Sequence, residues 1–193
     1  NNIGNVYERL GRHKKALEYY EESNKYDAEH PAGWYNVGNT CDDLGHFKKA
    51  IKNYEKAIKL AKGNKDMLFR SWFNMGRVFS RLGQYKEAIR CYDKCIKLTK
   101  KVSYVYSNKG NVLRKMHRYK ESIRCYKKAT KLDKKYVNAW NNRGVSLEKL
   151  ERYEDAIASY DKAIEIDPKF AKAWRNKGVS LRKLERYEDA IAS

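Results

Sequence analysis

Asparagine recurs along this chain of 193 residues at a spacing that could hold an extended peptide. Successive copies in one set are 34, 38, 34, 34 and 34 residues apart, and we call this set the asparagine ladder: Asn2, Asn36, Asn74, Asn108, Asn142 and Asn176. Further copies follow three residues after a ladder residue: Asn5, Asn39 and Asn111. Because an asparagine side chain is both donor and acceptor, it can pair with the N–H and C=O of one residue in an extended peptide. A regular series of such pairs would hold a peptide largely independently of its sequence.

Positive charge is concentrated in the middle of the chain. The formal net charge is +19, and segments 69–102 and 103–136 contribute +7 and +9 of it. Such a patch attracts an acidic partner, which could be a peptide with acidic side chains or the phosphates of a nucleic acid. The sequence therefore predicts a basic surface within residues 69–136.

The sequence has none of the usual catalytic or metal-binding motifs. It contains no glycine-rich phosphate loop, no His-Glu-x-x-His pair and no nucleophile elbow. A zinc site needs four converging ligands, but the four histidines follow no ligand spacing. We therefore expect no enzyme activity, no cofactor and no metal site. Cys95 replaces an alanine of the other repeats and is expected to be a small buried apolar residue. The cysteine pattern favours a cytoplasmic protein over a disulfide framework.

Glycines recur with the same spacing as the asparagine ladder, and this spacing predicts the helices that carry the asparagines. The glycines are Gly4, Gly38, Gly76, Gly110, Gly144 and Gly178. Apolar residues four before, three after and six after each glycine form one stripe of a helix, and an alanine–tyrosine–alanine series forms a second stripe. A period of 34 residues is typical of stacked pairs of helices. Four extra residues near positions 61–66 are expected to lengthen a helix or a loop.

The sequence of the repeats resembles the tetratricopeptide repeat (TPR) family over the whole chain, and it is similar to the sequences of prokaryotic TPR arrays, including archaeal ones. The clearest copy has Trp140, Gly144, Tyr153, Ala156 and Tyr160 at the family's positions. The resemblance implies an all-α fold, an α–α superhelix of right-handed TPR type. The family's leucine before the glycine is replaced in the last three copies by Lys109, Arg143 and Lys177.

Repeat boundaries follow when each glycine is numbered as position 8 of its repeat. The complete repeats are then 31–68, 69–102, 103–136 and 137–170, with partial repeats at 1–30 and 171–193. We expect one TPR array across 1–193. Residues 184–193 repeat the ten letters of 150–159 and then stop, so we also expect the chain to be a fragment of a longer array.

The resemblance implies a binding groove, because positions 2, 5, 6, 9, 12 and 13 of TPR repeats face the concave surface. The asparagine ladder occupies position 6, and Asn39 and Asn111 occupy position 9. The other expected groove residues are Arg70, Phe73, Arg77, Arg81 and Arg114. The repeat 31–68 has Asp42 and Asp43 at groove positions, so the groove should change from acidic in this repeat to basic in the repeat 69–102. A clamp for carboxylate tails, as in chaperone-binding TPR domains, needs a basic position 6 and is not expected.

Three functions fit these features. The first is a scaffold that binds an extended, acidic peptide through the ladder and the basic middle. The second is binding of RNA or another single-stranded nucleic acid by residues 69–136, and the third is a structural array that self-associates through uncapped ends. Alternatively, the ladder asparagines cap or pack locally and bind nothing. Salt dependence separates the first two functions, because phosphate binding weakens steeply with salt.

Overall fold

The computed structural model describes residues 2–191, and this part of the chain contains twelve α-helices and no strand. This confirms the all-α helical-repeat fold. The helices are α1 Asn2–Arg9, α2 His13–Tyr26, α3 Pro31–Asp43, α4 Phe47–Leu60, α5 Lys65–Arg81, α6 Tyr85–Leu98, α7 Ser103–Lys115, α8 Tyr119–Leu132, α9 Val137–Glu148, α10 Tyr153–Ile166, α11 Ala171–Lys183 and α12 Tyr187–Ile191.

Consecutive helices pair as hairpins, from α1 with α2 to α11 with α12. Within each compact unit the second helix of a hairpin also packs against the first helix of the next hairpin. The chain divides into two such units, Asn1–Thr99 and Lys100–Ser193, and each is described here by itself. That the repeats form one continuous array stays a prediction.

In the described residues, five of the six hairpins are closed by a tyrosine of the second helix that lies on a glycine of the first; the exception is the hairpin of Gly178. Tyr54 and Tyr160 are fully buried, with 1% and 0% of their surface exposed. A Cβ atom on Gly38 would lie 2.7 Å from Tyr54 Cε1, and one on Gly144 would lie 2.4 Å from Tyr160 Cε1. Both distances are shorter than a carbon–carbon contact allows, so only glycine lets the ring reach the backbone of the first helix.

The turn inside each hairpin needs a residue in the left-handed conformation. Three hairpins supply glycine there, at Gly11, Gly45 and Gly83. The other three supply His117, Glu151 and Glu185, with φ of 58°, 58° and 60°. Glycine adopts this conformation without strain, whereas a side chain makes it unfavourable.

The four extra residues of the second interval form helix. α5 has 17 residues, whereas α3 and α7 have 13 each. It begins at Lys65, four residues before the start of its repeat, and the Asn64 side chain accepts a hydrogen bond from the Met67 backbone N–H at 3.1 Å. The insertion therefore adds about one helical turn to α5.

Burial follows the predicted stripes with two differences. Cys95 is fully buried, as predicted, but Leu10 and Leu82 at the ends of their helices are 62% and 37% exposed. The repeat tryptophans are half-buried because they lie at the edge of the hairpin. The indole N–H of Trp34 donates to the Ala28 carbonyl at 2.8 Å, in the loop before its helix.

Candidate functional site

The ladder residue Asn74 is bonded to the preceding repeat inside the first compact unit. Its Nδ2 donates to Asn39 Oδ1 at 2.9 Å and to the Tyr35 hydroxyl at 3.0 Å. The Tyr54 hydroxyl donates to the same Asn39 oxygen at 2.8 Å. Both N–H groups of Asn74 and both lone pairs of Asn39 Oδ1 are therefore used. We call this contact between position 6 of one repeat and position 9 of the repeat before it an asparagine bridge.

The second compact unit contains the same arrangement. Asn142 Nδ2 donates to Asn111 Oδ1 at 3.1 Å, and the Tyr126 hydroxyl donates to that oxygen at 2.7 Å. One repeat later position 9 is Val145, and Asn176 Nδ2 instead donates to Asn141 Oδ1 at 3.0 Å. Because Asn141 precedes Val145 by one helical turn, it can replace the missing acceptor.

Two other ladder residues differ from this pattern. Asn108 Nδ2 donates to the Tyr104 carbonyl of its own helix at 2.8 Å. Asn36 is half-buried, and its backbone carbonyl accepts from Thr40 Oγ1 at 3.0 Å. The side chains of Asn74, Asn142 and Asn176 thus tie neighbouring repeats together, and that the ladder lines a binding groove stays a prediction.

The asparagine bridge of the first unit leaves one donor group and one acceptor for a ligand, whereas in the second unit Asn142 Oδ1 already accepts from Asn141 Nδ2 at 3.3 Å. Within residues 2–191, Asn39 Nδ2 and Asn74 Oδ1 have no hydrogen-bond partner. Since Asn39 Oδ1 is held by two donors, its amide group cannot rotate without breaking both bonds. The pair that could meet a peptide N–H and C=O therefore comes from two asparagines, whereas the sequence pattern predicted that a single asparagine supplies both groups.

Arg81 is held by its own compact unit. Its guanidinium forms an ion pair with the Asp42 carboxylate and lies 4.4 Å from the centre of the Phe47 ring. Asp42 is only 4% exposed. Burial raises the pKa of Asp42, and the positive charges of Arg81 and then Arg77 act against that rise. Arg81 therefore stabilises the contact between two repeats, and Arg77 is the exposed cation beside it.

The remaining predicted groove residues have individual surroundings. Arg70 pairs with Asp66 at 2.9 Å on an exposed surface of α5. Phe73 is half-buried and stacks on Phe69, with ring centres 6.3 Å apart and planes 1° apart. In the second unit, burial raises the pKa of Tyr126 to about 12, and Arg114 beside it opposes the rise. Arg114 is itself half-buried, and its Nε is buried without a hydrogen-bond partner in the described part of the chain.

A second link between repeats was not predicted. The Glu8 carboxylate lies 2.8 Å from the Tyr20 hydroxyl and accepts from Thr40 Oγ1 at 3.3 Å. The Glu148 carboxylate accepts hydrogen bonds from the Tyr160 hydroxyl and from Ser180 Oγ, each at 3.2 Å. A sequence signal exists, because glutamate at position 12 is followed in both cases by a hydroxyl residue at position 10 of the next repeat.

The described part of the chain contains one group of possible metal ligands, although the sequence predicted no metal site. Glu8, His13 and Asp43 place ligand atoms within 4.8 Å of one another. The Glu8 oxygens already accept hydrogen bonds from Tyr20 and Thr40, which explains the position of that carboxylate. In the described residues, no helix combines the length and apolar character that crossing a membrane requires.

Family models for tetratricopeptide repeats match this chain at residues 1–30, 29–101, 137–170 and 159–192, and a TPR repeat model matches 110–151. No curated protein matches it in sequence. Among solved structures, the chain is similar to a crystal structure of MamA protein, with 22% identity, a TM-score of 0.77, and 86% of this chain and 88% of that chain covered.

Two further structures are similar in fold. MamA 41-end from Desulfovibrio magneticus RS-1 has 21% identity and a TM-score of 0.80, with 88% of this chain and 93% of that chain covered. YrrB, described as a TPR protein with an unusual peptide-binding site, has 24% identity and a TM-score of 0.73, with 89% and 87% covered.

Proposed function

This chain belongs to the tetratricopeptide repeat family, and from that premise we propose that it is a protein-interaction scaffold that binds an extended, acidic peptide along its asparagine bridges. The observation that carries the proposal is the unpaired donor and acceptor at the bridge of the first unit, Asn39 Nδ2 and Asn74 Oδ1. These groups match the C=O and N–H of an extended backbone.

Preorganisation by the bridge favours peptide binding. A net hydrogen bond contributes about 1 kcal/mol, so one bridge offers about 2 kcal/mol if both groups pair with a peptide. Because the amide of Asn39 is already oriented by Tyr54 and Asn74, little side-chain entropy is lost when the peptide binds. Micromolar affinity corresponds to about −8 kcal/mol, so most of it would come from further contacts of the peptide along the ladder and with charged side chains.

Preference for an acidic peptide is assigned to Arg77. Its side chain is exposed on α5, three residues after Asn74, whereas Arg81 is bound to Asp42 and Arg70 to Asp66. A free cation beside the backbone-binding groups would select a carboxylate on the ligand. YrrB, which is similar in fold, is described as having a peptide-binding site, and this supports a peptide ligand here.

Two labelled peptides test the proposal by fluorescence polarisation: one alternates glutamate with alanine, and the other alternates lysine with alanine. We expect the acidic peptide to bind more tightly. Asn74→Ala should weaken both peptides alike, because Asn74 contacts the backbone. Arg77→Glu should weaken only the acidic peptide, and more strongly at low salt.

Matched controls keep the result interpretable. Asn138→Ala removes an exposed asparagine from α9, and Arg90→Glu reverses an exposed charge on α6. Neither should change binding, and melting curves of all variants report any loss of stability. Equal affinity for the two peptides, or unchanged binding by Asn74→Ala, would defeat the proposal. Tighter binding of single-stranded oligouridylate with a steep salt dependence would favour the nucleic-acid function instead.

A further inference from the structure

The first compact unit contains a cavity on the side of α3 that faces away from the ladder. Its volume is about 820 Å³, and residues of α2, α3 and α4 line it. Trp34 lines the cavity, and Asn36 of the ladder follows it by two residues, which is about 200° around a helix. A cavity of this size falls within the range of small-molecule sites, about 300–1,000 Å³.

Asn24 places an unsatisfied amide in this cavity. The residue is 6% exposed, and its Nδ2 is buried without a hydrogen-bond partner in the described residues. An unpaired buried donor is unfavourable. In a folded protein such a group needs a reason, and a ligand acceptor at this position would provide one.

The repeat pattern shows that this amide is a local departure. The second helices α4, α6, α8 and α10 carry at this position Ile58, Ile96, Thr130 and Ile164. Gly33, which packs against Asn24, is replaced one repeat after another by Ser71, Val105, Ala139 and Ala173. A Cβ atom on Gly33 would lie 1.9 Å from Asn24 Oδ1, so the two departures depend on each other. Together they replace an apolar contact with a polar group beside a cavity.

Positive charge lines one wall of the cavity. Lys48, Lys52 and Lys56 are spaced by four residues, which places them in one stripe along α4. None of the three forms an ion pair within residues 2–191, whereas Lys49 pairs with Glu21 at 2.5 Å. The ammonium of Lys56 lies 5.7 Å from the centre of the Trp34 ring.

We propose that this cavity binds a nucleotide. The Asn24 amide would donate to an acceptor on the base, Trp34 and the buried Val37 would contact its apolar surface, and the lysine stripe would bind the phosphates. A nucleotide carries an acceptor-bearing flat ring at one end and several negative charges at the other. An acidic peptide carries its charges at intervals along the chain, which fits one buried donor beside a cationic wall less well.

Calorimetric titration with ATP tests this, with inorganic tripolyphosphate as a comparison that has charge but no base. We expect ATP to bind more tightly. Asn24→Ile with Gly33→Ala restores residue types found in the other repeats and removes the buried amide. This variant should lower ATP affinity by about tenfold or more while the protein remains folded, and it should leave tripolyphosphate nearly unaffected.

A matched pair of charge variants separates the site from general attraction. Lys52→Ala with Lys56→Ala should weaken ATP binding, whereas Arg90→Ala with Lys94→Ala removes the same charges from the same positions one repeat later and should not. Equal loss in both pairs, equal affinity for ATP and tripolyphosphate, or no ATP binding would overturn the proposal. Displacement of ATP by the glutamate–alanine peptide with higher affinity would assign the cavity to a peptide.

Discussion

Replacing Gly144 by alanine tests how the hairpins are held together. The new Cβ would lie 2.4, 2.7 and 2.8 Å from three carbon atoms of the Tyr160 ring. Carbon atoms in contact lie about 3.5–4.0 Å apart, so the ring must move by about 1 Å. Tyr160 has no exposed surface, and its hydroxyl is bonded to Glu148 at 3.2 Å, so it has little room to move.

The magnitude follows from two opposing terms. Overpacking of this kind costs about 1–3 kcal/mol. Alanine is more favourable than glycine inside a helix by about 0.8–1.0 kcal/mol, which offsets part of that cost. Gly178→Ala is the matched control, because the nearest atom to its Cβ is the Ala190 carbonyl oxygen at 3.8 Å. The control should gain the helix term without the clash, so the two variants should differ by the overpacking term alone, about 1–3 kcal/mol.

Thermal melting followed by circular dichroism measures the difference, and each kcal/mol should change the melting temperature by about 2–4 °C for a chain of this size. Gly144→Ala should melt below the unmodified protein and Gly178→Ala above it. In a Tyr160→Leu background the cost of Gly144→Ala should disappear. Equal shifts for the two alanine variants, or a cost that persists without the tyrosine ring, would refute the reasoning.

Three further predictions concern single sites. Glu151→Gly should stabilise the protein by about 1 kcal/mol, because it relieves a left-handed side-chain residue; a lower melting temperature would contradict this. Burial raises the pKa of Tyr126 to about 12 from 10.0, so its contribution to stability is complete below pH 10.0 and is lost as the pH rises towards 12. The free energy of unfolding of Tyr126→Phe, measured in urea, should therefore depend less steeply on pH between 10.0 and 12. A thiol reagent should label the half-buried Cys125 of the folded protein before Cys95, since burial raises the pKa of Cys95 to about 12; mass spectrometry of the labelled peptides would detect the reverse order.

The helices and their pairing follow from the sequence, because both depend on residues close together in the chain. Gly144 and Tyr160 lie 16 positions apart within one hairpin, and their contact is repeated along the chain. The placement of the ladder along one groove stays a prediction. The bonding of the ladder was not predicted, because the contact of Asn74 with Asn39 depends on how two repeats pack side by side.

Departures from the repeat pattern were the hardest to interpret from sequence. Arg81 was assigned to the groove from its repeat position, which stays a prediction, but its ion pair with Asp42 and its contact with Phe47 of the neighbouring repeat were not predicted. Asn24 and Gly33 differ from their counterparts, but only the structure shows that the two changes meet at one cavity. Repeat position predicts where a side chain is attached, whereas its partner depends on a residue from the next repeat.

The asparagine bridge has a consequence for how such a chain can evolve. In a bridge, one repeat contributes an acceptor at position 9 and the repeat that follows contributes a donor at position 6, as Asn111 and Asn142 do. When a repeat with asparagine at both positions is duplicated by recombination, the new copy therefore carries both the donor and the acceptor of an asparagine bridge. Where valine occupies position 9, at Val145, the Asn141 side chain one helical turn earlier accepts the hydrogen bond instead. A substitution at position 9 therefore does not prevent the addition of further repeats.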